Sequence, residues 1–341
     1  MVFTTYLVFT TSCFAQRDTA NQIEALKNAF QNPTIIGLGE TGHGYNNINT
    51  AKASMAKYLF EKENFKALLF ESSFVQGVIV HLLSDSSKKR LSKFLYPYWN
   101  TEHVDSLVNF IIKRENSIPL IGGFDIQEDC RFVYLTTYLI DNNIITSNRV
   151  ELLLCDSILS LYIGNSDIRK QTLSSKEYEI LLGSYNLITN EISEKFSLGE
   201  TRKKLLLRCI DNRKWLCKYL TISNWNDKMY FRDSLMAQNI IWQKDHLYKS
   251  DKVILWAADA HIAKSVGVAK KPKWMGEWLT STFNKNYFAI SFKKGSSGNG
   301  IRFPENAIFS LNKIEDKFQA VIYLEKLIKI KSEQWLTPCP Y

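Results

Sequence analysis

The sequence predicts an α/β fold: a three-layer α/β/α arrangement around a mostly parallel sheet, with an inserted helical lobe. Three observations carry this expectation. Thr34 to Ser72 reads as strand, turn, helix and strand, with an apolar run from Thr34 to Leu38, a helix-like stretch from Ile48 to Lys62 and a second apolar run from Lys66 to Phe70. Further apolar runs recur at Ile118 to Gly123, Lys252 to Ala257 and Asn286 to Phe292. They are near-continuous rather than alternating, as strands buried on both faces are. Between them, from about Asn148 to Leu220, no βα repeat is visible, and Val150 to Ile163, Ser175 to Phe196 and Glu200 to Tyr219 read as long helices.

The expected division is a signal peptide over 1–15, a first part of the α/β core over 16–147, the helical insertion over 148–225, a second part of the core over 226–330 and a tail over 331–341. The apolar opening closes on small residues before Gln16, which reads as a secretory leader and so as export to the periplasm or medium. It lacks a positive n-region; without cleavage the chain is cytoplasmic. Six cysteines are present, none in a close pair, and they read as free, semi-buried thiols.

In order along the chain, Asp18 to Gln31 reads as a first helix stopped by Asn32-Pro33. Ser72-Ser73 suits the cap of a helix from Val75 to Leu83. Phe94 to Trp99 is an aromatic loop that either walls a pocket or packs on its own rings. Val104 to Arg114 is amphipathic, and Phe132 to Ile140 starts another helix. Ser174 with Glu177 forms an N-cap signature. On the helix Asp227 to Leu247, Arg232, Met236, Asn239 and Gln243 share a face, a mixed pattern that is often solvent, although here the helix feeds a sheet strand. Trp274 to Thr282 is helical, Ile301 to Phe303 is a short extension or hairpin arm, and Phe318 to Leu324 is a last strand.

Net charge is +9, but the bases lie in short separate clusters beside turns, which describes a solvated surface rather than a nucleic-acid face. No later run is transmembrane, so stable membrane insertion is not expected. The expected partner is a small-molecule substrate, with the oligomeric state open. Hydrophobic content of 45% and charged content of 23% describe a chain able to bury a substantial core.

Ligands of an open parallel sheet bind outside the carboxyl ends of its strands, and this chain puts ionisable groups there. Glu40 and His43 lie in a glycine-bracketed turn after the first strand, Glu71 ends the second, Asp125 follows the third, and His261 follows Lys252 to Ala257. His43 suits proton transfer near neutrality; alternatively, it only hydrogen-bonds its loop. Glu40 and Glu71 suit orienting an imidazole, and equally suit capping a helix. Arg232 suits an oxyanion or a structural pairing with Glu71 or Asp233, and Lys52 points back toward the same mouth. Asp125 and Asn239 are candidate substrate contacts, as are Arg232 and Lys52. There is no GxSxG, Walker A or HExxH signature, so an activated water is the simpler nucleophile. Two histidines and several carboxylates suit zinc or manganese, but close ligand spacing is lacking: no cofactor is expected, with a divalent metal left open.

Seven segments resemble, in order, those of the erythromycin esterase family: GLGETGHG at Gly37 to Gly44, KALLFESS at Lys66 to Ser73, IPLIGGFDIQ at Ile118 to Gln127, RDSLMAQNIIW at Arg232 to Trp242, VILWAADAHIAKS at Val253 to Ser265, MGEWL at Met275 to Leu279 and YFAISF at Tyr287 to Phe292. The resemblance implies an α/β/α core with extra helices over the cleft. It also implies hydrolysis of a carboxylic ester or lactone by histidine-activated water, the best-known members opening macrolide antibiotics. By position the base is His43; Glu40, Glu71 and His261 complete the catalytic cluster, lined by Arg232. The sequence departs from the family pattern at Ala258, where a first histidine is usual, at Asp259 in place of an asparagine, and at Asn47 in place of a glutamate. Two other readings stand beside this one: a non-catalytic small-molecule or haem-binding module, and a metal-dependent hydrolase of another bond.

Overall fold

The computed structural model describes residues 32–83, 95–99, 101–114, 121–163, 172–264, 273–294, 301–303, 307–310 and 318–324. The leader, the helix expected over Asp18 to Gln31 and the tail beyond residue 324 lie outside them.

Strand β1 (Ile35–Glu40) is followed by helix α1 (Asn46–Lys62), β2 (Phe65–Ser73), α2 (Phe74–Leu82), α3 (Glu102–Ile112) and β3 (Ile121–Asp125). A helical series then leaves the sheet: α4 (Tyr134–Asp141), α5 (Arg149–Ser160), α6 (Ser175–Glu194), α7 (Glu200–Thr221) and α8 (Trp225–Gln243). The chain returns through β4 (Lys252–Trp256), the single turn α9 (Asp259–Ile262), α10 (Met275–Phe283), β5 (Tyr287–Lys294), the short arms β6 (Ile301–Phe303) and β7 (Ala307–Ser310), and β8 (Ala320–Leu324).

The sheet has eight strands in the order β3-β2-β4-β1-β5-β8-β7-β6. The first six run parallel, and β7 and β6 add an antiparallel edge. Parallel neighbours need long crossovers, which is what the helices supply. Successive residues of each strand feed opposite layers. Ile36, Leu38, Leu68, Phe70, Ile254 and Trp256 pack with the apolar faces of α1 and α3. Ile35, Ala67, Leu69, Val253 and Leu255 pack on the other side with Met236 and Ile240 of α8 and Met275 and Leu279 of α10. This is the expected three-layer α/β/α core.

Helices α5, α6 and α7 form a lobe with its own apolar interior, including Leu181, Tyr185, Ile188, Leu206 and Ile210. The capping box read from Ser174 and Glu177 opens α6. An ion-pair cluster ties the lobe to the sheet: Arg213 of α7 stands 2.5 Å from Glu128, just beyond β3, and 3.6 Å from Asp156 of α5, and it donates to the Phe132 carbonyl. Cys155, Cys209 and Cys217 are fully buried free thiols, deeper than the semi-buried state expected.

One element reading is corrected. Strand β2 runs on through Glu71 and Ser72 to Ser73, whose hydroxyl accepts from the Gln76 amide and starts α2. The mixed face of α8 does not meet solvent: Arg232, Met236, Asn239 and Gln243 are all buried, because this helix lies on the sheet. No helix among the described residues is long and apolar enough to cross a membrane.

Candidate active site

Register brings the strand exits to one level. Leu38 pairs with Trp256, Phe70 pairs with Trp256 from the other side, and Ser73 pairs with Asp125. Glu40, Glu71, Asp125 and the residues after β4 therefore share one mouth.

Glu40 is almost fully buried there and takes three donors. His43 Nδ1 stands 2.6 Å from Oε1, Trp99 Nε1 donates to the same oxygen at 3.0 Å, and Lys52 Nζ donates to Oε2 at 2.7 Å. Lys52 also reaches the Ala257 carbonyl at 3.3 Å and lies 4.4 Å over the Trp256 ring. Burial alone would raise the Glu40 pKa, but Lys52 and His43 outweigh it and hold the carboxyl below its usual range. Burial in turn pulls the Lys52 amine down, opposed by Glu40.

His43 is the one exposed member, with a third of its side chain open. Its ring stacks on Tyr98 with centroids 4.5 Å apart and meets the Trp99 edge at 5.7 Å. With Nδ1 committed to Glu40, the nitrogen left for chemistry is Nε2. Gly44, at φ 80°, makes the turn that follows, in backbone space that favours glycine. A side chain at Gly39 would collide with Asp259 Oδ1 and Ile262, so glycine there lets α9 close over β1.

The second cluster is fully buried. Glu71 Oε1 accepts from Arg232 Nη2 at 2.9 Å and stands 3.1 Å from His261 Nε2, while Oε2 accepts from the Ala258 amide at 2.9 Å. Ala258 thus serves the site through its backbone. Arg232 donates Nε to Asp125 at 3.0 Å and Nη2 to the same carboxylate at 2.5 Å. His261 Nδ1 is 2.9 Å from Asp233, which also takes the Met275 amide at 2.9 Å.

Burial would lower the His261 pKa, but Glu71 and Asp233 overcome it and raise it to about 10. The same contacts, with Arg232, hold Glu71 well below the carboxylate range against its burial. His261 is therefore held as an imidazolium at neutral pH. A raised pKa stabilises the folded state fully below the free value of 6.5, and that stabilisation is lost as pH rises toward about 10. The melting-temperature gap between wild type and His261→Gln is expected to be widest below pH 6.5 and to close towards pH 10. A gap that stays constant across that window would refute the charged state.

The predicted residues divide cleanly. Glu40, His43 and Lys52 form one group and Glu71, Asp125, Arg232 and His261 the other. Asn239 belongs to neither: its amide donates to the Phe124 carbonyl at 3.0 Å and to Asn212 at 2.7 Å, and its oxygen accepts from Arg208 and Asn212. It joins α7 and α8 to β3, so the substrate contact expected of it is corrected to a structural one. Sequence reasoning did not assign Trp99, Tyr98 or Asp233 to the site. The aromatic loop and the Arg232-Asp233 pair were the available signals. Among the described residues, no three His, Cys, Asp or Glu side chains are grouped to hold a metal ion.

Beside the clusters lies a cavity of about 300 Å³. Tyr96, Tyr98, Gln127, Glu128 and Arg232 line its core side, and Ile163, Leu216, Tyr219 and Leu220 its lobe side.

Residues 192–300 match the family model described as erythromycin esterase. A Bacillus subtilis (strain 168) relative named "Putative hydrolase YbfO" is 25% identical over 307 residues, covering 81% of this chain and 68% of its own length. Over residues 192–300 the chain is similar to the erythromycin esterase family. Its fold is similar to that of a histidine-to-asparagine mutant of the erythromycin esterase EreC in its open conformation (TM-score 0.66, 16% identity, 91% of this chain and 94% of that one). A Bacillus cereus protein of known structure is equally similar (TM-score 0.67, 18% identity, 91% and 92% covered). The structures establish the erythromycin esterase-like fold alone, and the family match with the relative supports a hydrolase.

Proposed function

We propose that this chain hydrolyses a carboxylic ester or lactone with water as the nucleophile and His43 as the general base. The observation that carries this reading is the His43 imidazole itself: one nitrogen is held by a buried, ionised Glu40, a third of the side chain is open, and the ring stacks on Tyr98, which lines the cavity. The Glu40 contact selects the tautomer with the proton on Nδ1. Nε2 then takes a proton from water as it attacks the carbonyl carbon, and Glu40 stabilises the imidazolium formed. When the tetrahedral intermediate collapses, the same nitrogen returns its proton to the departing oxygen. Lys52 and Trp99 keep Glu40 in place and ionised. The Glu71–Arg232–Asp125–His261 cluster is the rigid, charged floor beneath the substrate.

Mass spectrometry of a panel of simple esters, lactones and macrolides, incubated with the purified protein, tests this reading. The expected product of a lactone is a hydroxy acid heavier by one water, and of an open-chain ester an acid and an alcohol whose masses together exceed the substrate's by one water. No such product from any member would overturn the assignment.

A further inference from the structure

Hydrolysis at His43 needs a donor for the carbonyl oxygen, on which negative charge develops. The three cations of the mouth are poorly placed to be that donor. Lys52 is buried and committed to Glu40 and the Ala257 carbonyl. His261 has both ring nitrogens committed to carboxylates, Nδ1 to Asp233 and Nε2 to Glu71. Arg232 commits Nε and Nη2 to Asp125 and Glu71, which leaves Nη1, 3.4 Å from His261 Nε2. Cations already neutralised by buried carboxylates offer little to an incoming oxyanion.

Tyr96 differs from all three. It lines the cavity together with Tyr98 and Arg232. Its ring stacks on Tyr98 at 5.5 Å, and Tyr98 stacks on His43 at 4.5 Å, so a continuous aromatic series fixes it relative to the base. Trp99, which donates to Glu40, packs against it at 6.1 Å. Its hydroxyl is hydrogen-bonded to none of the described side chains or backbone groups, in contrast to Trp99 and Lys52.

We propose that the Tyr96 hydroxyl is a further catalytic group, donating a hydrogen bond to the carbonyl oxygen of the bound ester as the tetrahedral intermediate forms. The inference rests on the His43 reading. The phenol keeps its proton throughout: charge builds on the carbonyl oxygen when water adds and leaves it when the carbon–oxygen bond of the leaving group breaks. Burial, with the nearby Asp125 carboxylate, pushes the Tyr96 pKa well above its ordinary value, so the donor stays protonated at any working pH.

Tyr96→Phe removes the hydroxyl and keeps the ring stack. With an ester or lactone that wild type hydrolyses, kcat is expected to fall about 100-fold, with KM within about threefold, the pH–rate profile lowered without change of shape, and the melting temperature unchanged. A kcat within threefold of wild type, or a raised KM with kcat kept, would overturn the role. His43→Ala measured alongside separates the two claims. Turnover lost in His43→Ala but kept in Tyr96→Phe removes the Tyr96 role alone. Turnover that survives His43→Ala, or no wild-type turnover at all, removes both.

Discussion

Replacing His43 by Ala is expected to lower kcat by about 10²- to 10⁴-fold, the range that a positioned general base supplies, while the protein keeps its melting temperature. Both halves follow from the same geometry. The imidazole is the only member of its cluster with substantial exposure, so little packing is lost with it. Glu40 remains held by Lys52 and Trp99 after the ring has gone, so no buried carboxylate is stranded. Glu40→Gln is the complementary change: it leaves the ring in place but lets it take the wrong tautomer and removes the charge that stabilises the imidazolium. Steady-state kinetics on a substrate identified in the panel, with calorimetry of each variant, decides the matter. A His43→Ala enzyme within tenfold of wild type would move the base elsewhere.

Much of this site is legible in the sequence because its parts stand at strand exits. Glu40 and His43 are three residues apart, and once Thr34 to Leu38 is read as a buried parallel strand their place at the mouth follows. Pairing is harder to read. Trp99 reaches Glu40 across 59 positions and Arg232 reaches Asp125 across 107, contacts that exist only once the sheet order is fixed. Asn239 shows the same limit in reverse. It shares a helical face with Arg232, but seven residues of helix carry it about 10 Å along the axis. There it lies beneath β3, bonded to the Phe124 carbonyl, instead of past the strand end. A helical face fixes direction; which point along the strand it meets is set by how α8 is laid on the sheet. The aromatic loop was ambiguous for a related reason: its rings do pack on one another, and the same packing delivers Tyr98 to His43 and Trp99 to Glu40.

Arg232→Met should be the most destabilising single change at the mouth. The guanidinium is the shared partner of Asp125 and Glu71, and both carboxylates are buried. Methionine fills much of the same volume, so the loss is electrostatic rather than a cavity. Breaking a buried pair from one side typically costs about 3–5 kcal/mol, because a charge is left in a poorly solvated place. For a chain of this size that corresponds to a melting temperature lower by on the order of 10 °C. Arg232→Lys should recover only part of it: an ammonium is a point charge without the planar fork that meets Asp125 through Nε and Nη2 together. Asp125→Asn in the Arg232→Met background tests the origin of the loss, since removing one stranded charge should restore stability if desolvated carboxylates are its cause. A melting temperature within 2 °C of wild type for Arg232→Met, or no recovery in the double variant, would mean that the cluster is held by its packing rather than by its charges. The floor beneath the substrate would then be softer than the hydrogen-bond network implies.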